Sequence, residues 1–352
     1  MPQLSAAVRT TPDAPRGIAR GPRWRSAALV VAVVVLALVV LASFAIGARA
    51  IAPLEVLRIL LGVESGHGQA VVVVYDLRLP RTLVGLVVGA GLGVSGALIQ
   101  AATRNPLADP GILGVNAGAA FAVVIGIAVF GSVSLAGYVW FALVGALLAT
   151  LAVFLIGGVG RTSSPVRLLL AGVALAAVLT GVTNAISQAD PDAFAALLSW
   201  RAGSIADRET AALLPVLPIL AAGLVLAVVV ARPLNALALG DDAASALGVR
   251  VVGIRILVIL AITLLAGGAT ALAGPIAFVG LMVPNVARWI AGADQRWILA
   301  FCAVLGPVLV LAADIVGRVA VPPGELPVGI VTAFLGAPVL IALVRRRRVS
   351  AL

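Results

Sequence analysis

Long uncharged apolar runs alternate along this chain with short segments that collect its arginines, acids and prolines. The uncharged runs cover residues 26–48, 82–103, 110–160, 168–189, 210–231, 256–287, 297–313 and 326–344. A helix of about 20 residues crosses roughly 30 Å of hydrocarbon, so each run is long enough to span or nearly so. The third run has 51 residues, enough for two helices with a turn near 131–137. The sixth, of 32 residues, should break at Gly274-Pro275, where a helix ends or kinks. Six single spans and two pairs predict an all-α polytopic membrane protein with about ten transmembrane helices.

An even number of spans puts both termini on one side, and both termini are rich in arginine. The positive-inside rule makes that side cytoplasmic. The inner segments then hold 17 of the 24 basic residues but only 5 of the 14 acids. The net charge of +10 divides into +12 inside and −2 outside, a record of topology and not a basic face for nucleic acid. Residues 1–25 read as a disordered cytosolic tail, 26–346 as a single transmembrane domain and 347–352 as a second tail. A cleaved signal peptide fits the start less well, because the first apolar run is long and lacks a small-x-small exit before Arg49.

One inner segment is too polar to span and long enough to fold. It contains NALALGDDAASALGVR (235–250), small and helix-favouring, with two acids. The chain has no GxxxxGK[ST] motif to cradle nucleotide phosphates. A polytopic chain with one such island points to a channel-forming subunit moved by a motor beneath it. With one cysteine, Cys302, and one histidine, His67, no internal disulfide or His/Cys metal cluster can form. A metal that crosses here arrives already chelated.

The spans are built from Ala, Val, Leu and Gly. Gly85, Gly89 and Gly93 recur every four residues, with Ser95 and Gly96 beyond, a face that lets helix backbones approach closely. Ionisable groups inside the spans are scarce. Asp314 and Arg318, at i and i+4 near the outer end of the ninth span, can pair on one face. A proton-coupled carrier would keep a carboxylate at mid-membrane, and none is evident, which weighs against a secondary transporter. On the outer side, a 33-residue connection (49–81) carries PLEVLRILLG and an expected extended run, VVVVYDLRLPRT (71–82). Its Arg78 and Arg81 defy the positive-inside trend, either as interfacial anchors or as a docking site for an acidic partner. PPGELPVG (322–329) should enter the last span irregularly. On the inner side, TRNPLADPGILG (103–114) is a tight turn that reads as a constriction or gate.

Several long segments in order resemble the FecCD permeases, membrane subunits of type II ABC importers for ferric siderophores, haem and cobalamin. They are 77–119, SPVRLLLAGVAL (164–175), LALGDDAASALGV (237–249), GPIAFVGLMVPNVARWIAGAD (274–294) and 313–346. The resemblance implies two short cytoplasmic coupling helices between the sixth and seventh spans, in a coupling segment at 234–250. There Leu239, Gly240, Asp241, Ala243, Ala244, Leu247 and Gly248 would meet an ATPase. It implies that Arg78, Arg81 and Arg318 meet glutamates of a substrate-binding protein, and that Asn105, Pro106 and Leu107 line the inner end of the path. Where some relatives carry Thr-Ser before the fifth-span arginine, this chain has Pro165 and Val166 before Arg167, so the inner closure should be built differently. The implied assembly has a second permease chain, identical or not, two ATP-binding subunits, an extracytoplasmic binding protein and surrounding lipid in a bacterial cell membrane. ATP and Mg would be held by the partner ATPase, with no cofactor on this chain and no catalytic site in it. Chelated iron, as ferric siderophore, is the expected cargo, with haem or cobalamin as alternatives.

Overall fold

The computed structural model describes residues 21–47, 50–63, 68–131, 135–157, 165–206, 210–322 and 324–349, which form helices and connecting turns without a strand. In chain order the helices are α1 (Pro22–Ala45), α2 (Pro53–Leu60), α3 (Gln69–Val72), α4 (Leu79–Thr103), α5 (Val115–Phe130), α6 (Leu135–Gly157), α7 (Pro165–Ala189) and α8 (Pro191–Arg201). They continue with α9 (Thr210–Leu213), α10 (Leu217–Leu237), α11 (Asp241–Ala246), α12 (Val251–Ala273), α13 (Val279–Ala291), α14 (Gln295–Ala320) and α15 (Val328–Val349). A π-helical turn, Val73–Arg78, joins α3 to α4, and a 3₁₀ turn, Pro110–Leu113, precedes α5.

Seven helices among the described residues are long and apolar enough to cross a membrane: α1, the continuous α3–α4 unit, α6, α7, α10, α12 and α14. Two shorter apolar helices, Val115–Phe130 and Val328–Ala342, and the amphipathic α13 fall in the remaining runs. The expected breaks are present. Gly131 ends α5 with φ 77°, and Gly274 ends α12 with φ 72°, backbone shapes that favour glycine. The irregular entry to α15 is held by neighbours, with Leu326 N–H donating to Gly317 O and Gly329 N–H to Gly203 O.

Three expectations change. Residues 71–82 are helical, not extended. Their valines favour strands in water, but an unpaired strand at a membrane surface leaves its backbone polar groups unmet, whereas a helix meets its own. Helix α1 starts at Pro22, inside the expected 1–25 tail, and α15 continues to Val349, inside the expected 347–352 tail; residues 1–20 and 350–352 lie outside the described range. The 234–250 segment contains one separate short helix, α11, because α10 runs on through Pro233 to Leu237 and takes up its first part.

At the centre of the bundle stands α4, packed against α14, α12, α13 and α10. Its small-residue face is what admits them. A Cβ on Gly89 would strike the backbone of Gly306 and Pro307 in α14, one on Gly93 the carbonyl of Cys302, and one on Gly96 the backbone of Gly280 in α13. With lipid as apolar as the helices, such close backbone contact supplies van der Waals energy that bulkier side chains would forfeit. Gly85 differs, since a Cβ there meets only the tips of Leu311 and Ile205.

Alanine adds about 1 kcal/mol of helix propensity at either position, so the comparison isolates packing. Gly89→Ala should destabilise the protein by about 1–3 kcal/mol net, through a forced shift of α14, whereas Gly85→Ala should be near neutral. Thermal unfolding of the purified variants in detergent checks this, and equal melting temperatures would refute the packing account.

Candidate functional site

Two polar clusters interrupt the apolar bundle, one at each end of α4. The cluster at the start of α4, on the side expected to face out, forms where it meets the end of α1 and the last turns of α14. Arg81 grips Asp314 with two nitrogens: Nε lies 3.0 and 3.1 Å from the two carboxylate oxygens, and Nη2 lies 2.7 Å from Oδ1. Its Nη1 pairs with Glu325 at 2.7 Å. Arg318, one turn beyond Asp314, donates to the same carboxylate, to Ser43 O at 2.8 Å and to Ile46 O at 3.1 Å. Ser43 Oγ and Thr82 Oγ1 are 3.0 Å apart, and Arg78 donates to Phe44 O. The carbonyls are free to accept because α1 ends at Ala45 and its last turn lacks onward helical partners.

Asp314 is 1% exposed, and Arg78 and Arg318 are 5% exposed each. The three arginines expected to meet a partner's carboxylates thus differ in how this chain holds them. Arg78 and Arg318 are consumed within the chain, and burial gives them carbonyl and carboxylate partners there. Only Arg81, with Glu325, reaches the rim. The predicted Asp314–Arg318 pair does form, as part of a larger clamp.

At the inner end, α4 stops at Arg104, which adopts a left-handed conformation with φ 51°. That turn aims its guanidinium at the α10–α11 connection. Its nitrogens lie 3.1 and 2.7 Å from Leu237 O, and Nη2 is 2.7 Å from Asp241 Oδ1. Arg255, near the start of α12, holds the other oxygen of Asp241 at 2.7 Å. Thus α11 is tied to both α4 and α12 through one carboxylate. Gly240 and Gly248, with φ 116° and 81°, bracket α11 and allow the sharp entry and exit.

The residues expected to face an ATPase divide by what they touch. Leu239 and Leu247 are 70% and 66% exposed, and Ala243 and Gly248 are exposed beside them. Ala244, by contrast, is fully buried against its own chain, and Asp241 is turned to Arg104 and Arg255. Ala244 is packing within the chain, whereas Asp241 is a tether whose side chain is still 42% exposed.

The inner turn after α4 is locked by its own side chains. Asn105 Oδ1 accepts from Leu107 N–H at 3.0 Å, and Asp109 Oδ1 accepts from Gly111 N–H at 2.8 Å. Burial raises the Asp109 carboxyl above its ordinary range, with the Gly111 bond acting in the opposite sense. Pro106 O accepts from Asn285 Nδ2 at 3.1 Å. Asn285 belongs to a buried set with Gln100 and Arg288: Gln100 Nε2 donates to Gly280 O at 3.2 Å, and Arg288 donates to Gln100 Oε1 and to Asn285 Oδ1. Sequence reasoning missed these three, together with Arg104 and Arg255. A lone amide inside the second span, and Asn285 and Arg288 at i and i+3 within an apolar run, were the available signal. Pro165 and Val166 open α7, on the backbone; their side chains lie outside the described residues.

The arrangement is thus a helical membrane bundle with one arginine clamp at the start of α4 and one ion-paired short helix at its end. The chain belongs to the FecCD transport family, which residues 35–346 match. It is 52% identical over 307 residues to the ferric enterobactin transport system permease FepD of Escherichia coli K12, covering 87% of this chain and 91% of that one. It is 42% identical over 277 residues to the iron(3+)-hydroxamate import permease FhuB of Bacillus subtilis 168, covering 78% and 72%. A solved structure of a metal-chelate type ABC transporter in an inward-facing conformation superposes with a TM-score of 0.81 at 29% identity, over 91% of this chain and 99% of that one. The protein is a multi-pass protein of the bacterial cell membrane, and its family is one of transport permeases, not catalysts.

Removing Asp314 should strand the buried Arg318 charge. Asp314→Ala is expected to cost about 3–5 kcal/mol, while Arg81→Ala, which leaves Asp314 with Arg318, should cost clearly less. Detergent thermal melts rank the two, and a neutral Asp314→Ala would show that the clamp carries no weight.

Proposed function

We propose that the chain is the permease subunit of an ABC importer for chelated iron, with a ferric siderophore as cargo. The observation that carries this reading is the 52% identity, across nearly the whole chain, to a ferric enterobactin permease. The eight apolar runs make ten membrane crossings in this reading, α5, α13 and α15 included, with both termini in the cytoplasm. Two such chains, alike or different, enclose the path. The exposed apolar side of α7, only 17% of whose central window is buried, is available to a second chain or to lipid. Two ATPase subunits beneath hold ATP and Mg.

A loaded binding protein docks on the outer face above the arginine clamp, which fixes α1, α4 and α14 relative to one another and leaves Arg81 and Glu325 at the rim. On the inner face, Leu239, Ala243, Leu247 and Gly248 contact an ATPase, and ATP-driven displacement of that subunit pulls on α11. The Arg104–Asp241–Arg255 tether passes the pull to α4 and α12. Because Arg104 adjoins the Asn105–Leu107 turn, the same motion reshapes the inner end of the path. The cargo is handed through and not gripped, which suits a lining of Gly, Ala, Val and Leu. A relative named as a hemin permease, that of Yersinia pestis, is 37% identical, so haem is the second reading.

The function is tested by iron-55 uptake, as ferric catecholate and hydroxamate siderophores and as haem, in cells with and without the gene. Gene-dependent uptake of a siderophore establishes the reading, and gene-dependent uptake of haem alone replaces it. Two variants separate contact from transmission. Leu239→Asp with Leu247→Asp should abolish co-purification of the ATPase. Asp241→Asn should leave co-purification intact yet lower uptake about tenfold, the order expected for losing a charge-assisted tether. Normal uptake in Asp241→Asn would remove the tether from the mechanism.

A further inference from the structure

Helices α10, α14 and α4 leave a groove of about 850 Å³ between them. Its walls are apolar, formed by Leu224 and Val228 of α10, Leu299 and Ala303 of α14 and Val94 of α4. At one end it is closed by Arg232 of α10 and Arg296 of α14. Both arginines are exposed, and neither guanidinium has a partner among the described residues. Elsewhere in this chain, at Arg81, Arg104, Arg255 and Arg318, a guanidinium near the bundle is ion-paired. What sets Arg232 and Arg296 apart is that they share the end of one apolar groove, and their position there is built. Asn235, three residues beyond Arg232, donates to Asp294 at 2.9 Å and accepts from Gln295 N–H at 2.8 Å, and this clasp pins the end of α10 to the start of α14. Trp297 lines the same end, its ring tilted against Phe301 at 6.5 Å.

Two unpaired cations and an indole at the mouth, with a purely aliphatic channel leading away along the spans, match one ligand chemistry: a phosphodiester carrying acyl chains. Arginine forks suit phosphate oxygens, Trp sits at headgroup level, and an apolar groove between transmembrane helices accepts a hydrocarbon tail. The geometry points to a specific site for an anionic phospholipid, headgroup on Arg232 and Arg296, one chain along Val228 and Leu299. In the orientation proposed above it draws from the inner leaflet. The inference does not depend on what the protein carries, and a failed uptake assay would leave it standing.

The full-length chain in a mild detergent, titrated with phosphatidylglycerol or phosphatidylcholine and read by native mass spectrometry, provides the test. Wild type should hold phosphatidylglycerol in preference. Arg232→Gln with Arg296→Gln should weaken that binding about thirtyfold, from two lost arginine–phosphate contacts, and leave phosphatidylcholine unchanged. Val228→Trp, which fills the groove but keeps both arginines, should also remove phosphatidylglycerol. Melting temperatures at the wild-type value show that the variants are folded. Undiminished phosphatidylglycerol binding in the arginine variant overturns the proposal. So does displacement of the lipid by inorganic phosphate in both wild type and Val228→Trp, which would make this a simple anion site. Loss of ATPase co-purification in the arginine variant, with lipid binding intact, would make the pair a protein contact and overturn it equally.

Discussion

The near-contact of backbones along α4 is the constraint on which the other features rest. Where Gly89, Gly93 and Gly96 face α14 and α13, no side chain separates the helices, and the neighbours are set by atoms that cannot rotate away. A rigid central helix follows, and both polar clusters are attached to its ends. Arg81 lies in its first turn and Arg104 caps its last, so the two clusters are joined by one helix.

The inner island shows how charge and apolar surface are divided by direction. Leu239 and Leu247 project outward, where burying them under a partner is favourable. The acid between them, still part-exposed, pairs with two arginines, one capping α4 and one on α12. The exposed leucines flank α11 and the tether sits at its first residue, with positive-φ glycines at Gly240 and Gly248 bracketing the helix. Charge here links elements of one chain, and the leucines beside it stay exposed.

Much of this was legible from periodicity and punctuation. Uncharged run lengths gave the helices, and Gly131 and Gly274 marked breaks that the backbone makes there. The Asp314–Arg318 pair followed from i, i+4 spacing. What spacing could not give was the partner of a residue distant in sequence. Asp241 reads as a surface acid until Arg104 and Arg255, 137 residues before it and 14 after, are brought alongside. Arg78 and Arg318 read as presented cations until the carbonyls at the end of α1 appear above them. Ala244 shows the same limit for packing, because small residues look alike whether they face a partner or their own core. The valine run 71–82 failed for another reason: its strand preference holds in water, and the solvent here is a bilayer surface.

The π-helical turn at Val73–Arg78 has a further consequence, in the arithmetic of chain length. A π turn accommodates a residue that an α-helix would not, without breaking the helix. Each residue turns an α-helix by about 100°. Deleting one residue between Val73 and Arg78 would restore regular bonding and rotate everything before it by that amount. Val74 would leave the small outer core it shares with Phe44, Ile51, Val56 and Ile59. Tyr75 would lose the position from which its hydroxyl donates to Ile59 O at 2.9 Å. The number of residues in this stretch is therefore as constrained as their identity, and a relative of different length here must seat its outer loop on a different face of the bundle.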